Sequence, residues 1–225
     1  MSCEKTMVED PNYEREIMNF RQSRVTFLKS EKGYINLVGL FWLKEGENSF
    51  GSGADNDMVF PAEFPENFGV AIKSGDSIKF DYSQPVTHND QEDLATLTFL
   101  LDERPNLFSW KSFQWFILEI GGNYAVRLRN FENPVLKIPL NLNFYPVDND
   151  WRIIGQYEAY SDTRTRSITN IRDIKYDQQA PGIITFKRNG KKYSLEPNTT
   201  GESMSVIFMD GTTGQKTFSG GRFLL

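Results

Sequence analysis

Cysteine and histidine are almost absent from this sequence, since each occurs once among 225 residues. A single cysteine, Cys3, excludes a framework of disulfides within the chain and a zinc site built from several cysteines. A single histidine means that any mechanism with a histidine base must use His88. The core must therefore be held by packing, and no metal ion or other cofactor is indicated.

Long hydrophobic runs and an excess of positive charge are also lacking. The most apolar segments, 37–43 and 113–118, have the length of a strand, so no membrane span is predicted. Lys and Arg number 25 against 30 Asp and Glu, a net charge of -5 that argues against a nucleic-acid partner. The composition, 39% hydrophobic and 24% charged, is typical of a soluble globular protein.

The first residues leave two compartments open. Met1-Ser2-Cys3 is not followed by the apolar region of a signal peptide, which predicts a cytoplasmic protein. The alternative is an exported lipoprotein that is anchored at Cys3 and whose leader has been removed.

The pattern of apolar residues predicts a mainly β fold with one N-terminal helix. Residues 11–30 place apolar side chains on one stripe, with Asp10-Pro11 suited to the helix start and Gly33 to its end. We expect this stripe to pack on a sheet. After Gly33, short runs of β-branched and aromatic residues alternate with turn residues, and this spacing predicts at least a dozen strands.

Four hairpins are predicted from turn residues between short apolar runs. Two polar stretches, 83–93 and 161–177, are predicted to be loops or connections. The hairpin arms are 69–73 with 77–80, 116–120 with 124–129, 183–186 with 193–195, and 205–209 with 216–218.

Three sequence blocks together resemble a known family. They are 37–46 with Gly51-Ser52 and Asn56-Asp57, then 144–152, then 208–214 running to 220–224. In this order they resemble the bacterial domain-of-unknown-function family 1684, over nearly the whole chain. That family has no established activity, so the resemblance implies a fold and leaves the function open. In the family, the last block is usually followed by Asp-Phe-Asn and Asn-Pro-Pro-Cys-Ala motifs, which this sequence does not contain.

The first block also resembles a forkhead-associated β-sandwich. The resemblance rests on the Gly51-Ser52 turn and on Asn56-Asp57, which precede the short apolar run 58–59. Such modules bind phosphothreonine through an arginine and a Ser-x-x-His, but Ser52 occupies the arginine position and no such motif follows. We therefore expect a tail and helix over 1–32, a forkhead-associated-like β-sandwich over 33–140, and a second β unit, barrel or sandwich, over 141–225.

Two groups of polar residues are candidates for chemistry. The first is the segment around His88, which includes Asp90, Glu92 and Asp93; we interpret it as a solvated loop, so His88→Ala is expected to be silent. The second group contains residues that the family-like blocks place near strand ends. Its members are Asp148, Trp151, Arg152, Asp210, Thr212, Thr213 and Arg222. Arg127 and Arg129, which share one face of a strand, are of the same residue type and could add to this group.

The second group supports two interpretations. One is a buried pair of arginine and carboxylate that closes the fold; the other is a ligand site in which arginine binds an anion and an aromatic ring stacks on a sugar. The leading hypothesis is a binding module for a small polar or anionic ligand, with carbohydrate included, at Asp148, Trp151, Arg152, Asp210, Thr212 and Arg222. The alternatives are a hydrolase-like enzyme that uses Asp148, Asp210 or Glu158, and a structural or protein-interaction protein.

Overall fold

The structure is a computed structural model that describes residues 12–103, 106–169, 175–200 and 203–224. Cys3, the Asp10-Pro11 helix start and Arg172 lie outside the described residues. The chain divides into two compact units. One is Ile17–Phe144, and the other consists of the described parts of Met1–Glu16 and Tyr145–Leu225. The three-part division at residues 32 and 140 stays a prediction.

The fold is mainly β with one α-helix, as the residue pattern predicted. The helix α1 spans Tyr13–Lys29, close to the predicted 11–30. None of its side chains is buried, and Phe20 and Phe27 are exposed, so the expected burial of an apolar stripe on a sheet is not seen. Within the described ranges, no helix is long and apolar enough to cross a membrane.

The unit Ile17–Phe144 is built on one nine-stranded sheet. Its order is β1-β9-β8-β7-β5-β4-β2-β3, with β6 paired to the other edge of β5. All pairs are antiparallel except β2 with β3. The strands are β1 (Leu37–Trp42), β2 (Gly46–Gly51), β3 (Met58–Val59), β4 (Gly69–Ser74), β5 (Ser77–His88), β6 (Gln91–Leu100), β7 (Leu107–Trp110), β8 (Phe113–Ile120) and β9 (Asn123–Asn130).

The long strand β5 turns this sheet over on itself. Residues 77–82 of β5 pair with β4, whereas Thr87 and His88 pair with β7, and β6 follows the opposite edge. The pairing of β5 with β6 is irregular between Asp81 and Val86, where Pro85 has no N–H to donate. Strand β5 therefore carries two halves of the sheet, and the halves share one core.

Aromatic rings fill that core. The Phe64 ring contacts Trp110 and Phe113, at centroid distances of 4.8 and 4.5 Å, and so joins the loop after β3 to strands β7 and β8. Phe68 and Trp115 are completely buried, with ring centroids 6.2 Å apart. Truncating such a ring to alanine costs about 3–5 kcal/mol, so these rings dominate the stability of the unit.

The described residues after Phe144 form two three-stranded antiparallel sheets. One has the order β10-β11-β12 and the other β13-β14-β15. The strands are β10 (Gln156–Thr169), β11 (Lys175–Arg188), β12 (Lys191–Leu195), β13 (Asn198–Thr200), β14 (Ser203–Phe208) and β15 (Arg222–Leu224).

Three of the four predicted hairpins are confirmed. They are β4–β5, β8–β9 and β11–β12, with two-residue turns at Gly75-Asp76, Gly121-Gly122 and Asn189-Gly190. Asn189 and Gly190 both have positive φ, 50° and 72°, as this type of turn requires. The fourth hairpin is wrong, because β14 pairs with β13 and β15 and not with 216–218.

The two predicted loops are also wrong. Residues 83–93 belong to the β5–β6 hairpin, whose turn Asn89-Asp90 has φ of 46° and 68°, values that Asn and Asp tolerate better than most residues. Most of 161–177 belongs to strands β10 and β11. These strands are polar because they expose much of their surface, and a polar stretch without a clear apolar period is hard to distinguish from a loop.

His88 consequently lies in a strand and not in a solvated loop. Its ring is half-buried against Phe99 and Phe108, at centroid distances of 5.7 and 4.5 Å. The Nε2 atom is buried without a hydrogen-bond partner among the described residues. The reason for expecting His88→Ala to be silent is therefore removed.

We expect the thermal stability of the protein to fall as the pH is lowered from about 7 to about 5, and His88→Phe to reduce this loss. Burial lowers the pKa of His88, and the charge of Glu103 opposes that effect only in part. A group whose pKa is lowered on folding leaves stability intact above its unfolded pKa, about 6.5, and reduces it as the pH falls through the folded value.

Thermal unfolding of both proteins across this range measures the effect. Asp57 and Asp81 do not interfere, because the pKa values of both are lowered from an ordinary value of 3.8 and so lie below the window. An equal loss of stability in wild type and His88→Phe would contradict the assignment.

Candidate functional site

Asp210 begins a tight polar turn after β14. Its Oδ1 atom accepts hydrogen bonds from the backbone N–H of Thr212, at 2.8 Å, and from the Thr212 hydroxyl, at 2.6 Å. The Thr213 hydroxyl accepts from the N–H of Asp210 at 3.0 Å. Asp210 thus satisfies backbone groups of its own turn, as aspartate commonly does in turns.

Arg222 on β15 completes this arrangement. Its Nε lies 3.2 Å from Asp210 Oδ2, and its Nη2 donates to the Thr212 hydroxyl at 3.0 Å. The bonds from Thr212, followed by the charge of Arg222, lower the pKa of Asp210. Three of the predicted residues, Asp210, Thr212 and Arg222, therefore meet, and their polar groups bind one another in a way that fastens β15 to the turn.

The other three predicted residues lie in a different turn. The Asp148 carboxylate accepts from the N–H of Asp150 at 2.9 Å and so caps the 3-10 turn Asn149–Trp151. Trp151 is 61% exposed, and the Arg188 guanidinium stacks on it at 3.6 Å from the ring centroid. The Arg152 guanidinium lies 6.0 Å from the ring centroid of Tyr13.

The other residues singled out in the sequence are the two arginines of β9 and several acidic side chains. Arg129 stacks on Phe116 at 5.5 Å and donates to the carbonyl of Glu31, and burial lowers its pKa. Arg127 lies on the same face of β9, in the unit Ile17–Phe144. Asp90, Glu92 and Glu158 are exposed, while the Asp93 side chain lies outside the described part. No group of three or more His, Cys, Asp or Glu side chains within the described ranges could hold a metal ion.

Sequence reasoning missed a polar cluster formed by β10, the segment before β13 and the first residue of β13. We call it the Arg166–Asn198 cluster, and it consists of Tyr160, Arg164, Arg166, Glu196 and Asn198. Glu196 is its centre: it accepts from the Tyr160 hydroxyl at 2.5 Å and from Arg166 Nη1 at 3.1 Å. Arg166 Nη2 also donates to Asn198 Oδ1, at 3.2 Å.

Arg164 is the exposed member of the cluster. Its guanidinium stacks on Tyr160 at 4.0 Å and lies 4.0 Å from Glu196 Oε1, and its side chain is 65% exposed. The hydrogen bond from Tyr160, followed by the bond and charge of Arg166 and then by the charge of Arg164, lowers the pKa of Glu196. The same bond to Glu196 raises the pKa of Tyr160, which therefore keeps its proton.

Three buried polar atoms at this cluster have no hydrogen-bond partner among the described residues. They are Asn198 Nδ2, Arg166 Nε and Oε1 of Gln178, the residue opposite Arg166 in the β10–β11 pair. Asn198 as a whole is only 2% exposed. Buried polar groups are almost always paired, so two donors and one acceptor left over at one place require an explanation.

A signal for this cluster was present in the sequence. Arg164 and Arg166 are two residues apart, the spacing that puts both on one face of a strand. Because 161–177 was predicted to be a connection, and a loop has no fixed face, the two arginines were not expected to lie on one side. Asn198 follows Glu196-Pro197, and no motif connects these residues with Arg166, which is 30 or more positions earlier.

The protein is thus mainly β, and its Arg166–Asn198 cluster lies after residue 144. Residues 140–225 match the model of a family described as "Protein of unknown function (DUF1684)", in agreement with the resemblance of the second and third sequence blocks. The first block, 37–57, lies outside the matched residues, so the resemblance of that part stays a prediction. The Arg166–Asn198 cluster and all six predicted ligand residues fall within the matched part. No curated protein matches the chain.

We expect Arg222→Ala to lower the free energy of unfolding by about 1 kcal/mol, because it removes the ion pair to Asp210 and the bond to Thr212 at a half-exposed site. The matched control is Lys216→Ala, which removes an exposed cation from the same turn. Denaturant unfolding measures both. Equal stability of Arg222→Ala and Lys216→Ala would show that the pair does not fasten β15.

Proposed function

We propose that the protein is a binding module for a small anionic ligand, and that the ligand binds at the Arg166–Asn198 cluster. The observation that carries this proposal is the amide of Asn198, which is buried and whose Nδ2 has no hydrogen-bond partner in the part of the chain that the structure describes. Leaving such a group unpaired costs roughly 1–3 kcal/mol. A ligand oxygen that accepts from this amide would recover that cost, which gives binding a driving force.

The charges of the cluster favour an anion. Arg164 and Arg166 carry two positive charges and Glu196 one negative charge, because Tyr160 keeps its proton. The single positive charge left over is matched by a carboxylate. Arginine suits this role because its planar donors pair with both oxygens of a carboxylate.

The unpaired atoms also indicate which other groups the ligand carries. Asn198 Nδ2 and Arg166 Nε are donors, so each needs an oxygen that accepts, whereas Gln178 Oε1 is an acceptor and needs a hydroxyl. A hydroxy acid provides all three from a carboxylate and a neighbouring hydroxyl. Sugar acids have the same groups, which keeps carbohydrate among the ligand classes.

Binding requires side chains of the cluster to move. The unpaired atoms are covered in this structure, and Arg164 is the most exposed cation of the cluster, held by the Tyr160 ring and by an ion pair of 4.0 Å to Glu196. An exposed pair of this kind contributes at most about 1 kcal/mol, so Arg164 can leave Tyr160 and bind the incoming carboxylate at little cost.

The hydrolase-like alternative has less support. Its carboxylates Asp148 and Asp210 accept hydrogen bonds within their own turns, and the pKa of Asp210 is lowered. A general acid needs a raised pKa, and each described carboxylate with a shifted pKa has it lowered. We assign Asp210, Thr212 and Arg222 to stability.

We expect glycerate or gluconate to raise the unfolding temperature, and Asn198→Asp to abolish this effect. The substitution keeps the oxygen that accepts from Arg166, but it removes the amide donor and adds a negative charge that repels a carboxylate. Arg164→Gln should weaken binding by about 10-fold or more, which is the usual strength of a charge-assisted hydrogen bond. Thermal shift and calorimetric titration with glycerate, gluconate, glucose and inorganic phosphate measure binding.

Arg127→Gln is the control, since it removes an arginine from the other unit. The proposal is wrong if neither hydroxy acid binds, or if Asn198→Asp and Arg164→Gln bind as well as wild type. If glucose binds with the same affinity as gluconate, the ligand need not be an anion, and that part of the proposal is wrong.

A further inference from the structure

Positive charge is concentrated at the tip of the β11–β12 hairpin. Lys187, Arg188, Lys191 and Lys192 surround the Asn189-Gly190 turn, in a chain whose net charge is -5. The three lysines are exposed. None of these residues belongs to the Arg166–Asn198 cluster, so the tip presents a separate site.

The register of the hairpin makes this charge unfavourable for folding. Lys187 lies directly opposite Lys192, and Arg188 directly opposite Lys191. Like charges in directly opposed positions of an antiparallel pair repel each other and destabilise it. The lysines at these opposed positions therefore repel their partners within the fold, whereas an anionic partner would attract them.

One face of the hairpin carries aromatic rings together with two of these cations. Phe186 and Tyr193 are opposite each other, stacked with centroids 5.5 Å apart, and they share a face with Arg188 and Lys191 because residues two apart on a strand do so. Trp151 stacks on Arg188 at 3.6 Å and extends this face. Tyr193 is nearly half exposed and Trp151 more than half.

Tyr157 adds apolar surface to the same face. Tyr157 on β10 pairs with Ile184, which is in the same row of side chains as Phe186 and Arg188, and it is also nearly half exposed. Ile154, between Trp151 and Tyr157 in the chain, is 82% exposed. We call the set Trp151, Tyr157, Arg188, Lys191 and Tyr193 the aromatic–basic face.

We propose that the tip of the β11–β12 hairpin, with the aromatic–basic face on one side and Lys187 and Lys192 on the other, docks on an anionic lipid surface. Lysine and arginine are attracted by acidic headgroups, and tryptophan and tyrosine favour the interface between headgroups and acyl chains. An isoleucine exposed to this degree suits insertion at that boundary, whereas a nucleic acid offers it no comparable partner. Asp148 and Asp150 in the adjoining turn weaken the positive potential, but the basic side chains outnumber them.

The test is co-sedimentation of the full chain with vesicles. Phosphatidylcholine vesicles with about one-third phosphatidylserine should bind it, phosphatidylcholine alone should not, and raising the salt from about 0.05 to 0.3 M should release it. Lys191→Gln/Lys192→Gln should weaken binding by about 30-fold, at about 1 kcal/mol per cation near the surface. The matched control is Lys32→Gln/Lys137→Gln, which removes two exposed lysines elsewhere and should bind like wild type.

Quenching by brominated lipid tests the orientation. Tryptophan emission of wild type should be quenched on brominated vesicles, and Trp151→Phe should lose most of this quenching. Equal binding with and without phosphatidylserine, or retained binding by the Lys191→Gln/Lys192→Gln variant, would overturn the proposal. Binding to heparin or RNA in the absence of vesicle binding would overturn it in favour of a soluble polyanion.

Discussion

The change of pairing partner along β5 is the constraint on which the unit Ile17–Phe144 depends. A strand that pairs with β4 along its first half and with β7 along its second half forces the two parts of the sheet to face each other. The space between them is filled by rings, with Phe64, Phe68 and Trp115 in mutual contact. The cost of an irregular, proline-containing strand is offset by the burial of those rings, since aromatic side chains give the largest apolar burial per residue.

Local chemistry made much of this fold predictable. The mainly β class and three hairpins followed from turn residues with a fixed physical role, such as Asn189-Gly190, where positive φ is required at both positions. The family resemblance carried by 144–152 and 208–224 agrees with the match over residues 140–225. The errors occurred where a strand is polar or where pairing is non-local. The segment 83–93 was predicted to be a loop because its composition is polar, although its Asn89-Asp90 turn has the features of a hairpin.

The polar sites show the same division. Asp210, Thr212 and Arg222 were singled out from the sequence because turn-forming residues and strand ends have local signals, and in the structure they contact one another. The Arg166–Asn198 cluster escaped because it depends on the register of β10 with β11 and on a segment 30 residues away. Hydrogen bonds that join distant segments leave no pattern in one sequence. Buried atoms without a partner, such as Asn198 Nδ2, are likewise visible only once the packing is known.

The solitary histidine makes His88 a natural spectroscopic probe. An imidazole gives well-resolved proton resonances, and with one histidine in the chain their assignment is unambiguous without isotope labelling. The rings of Phe99 and Phe108, 5.7 and 4.5 Å away, impose ring-current displacements that depend steeply on distance. One line in a one-dimensional spectrum therefore reports on how β5, β6 and β7 pack, in every variant of the protein and in the presence of any partner.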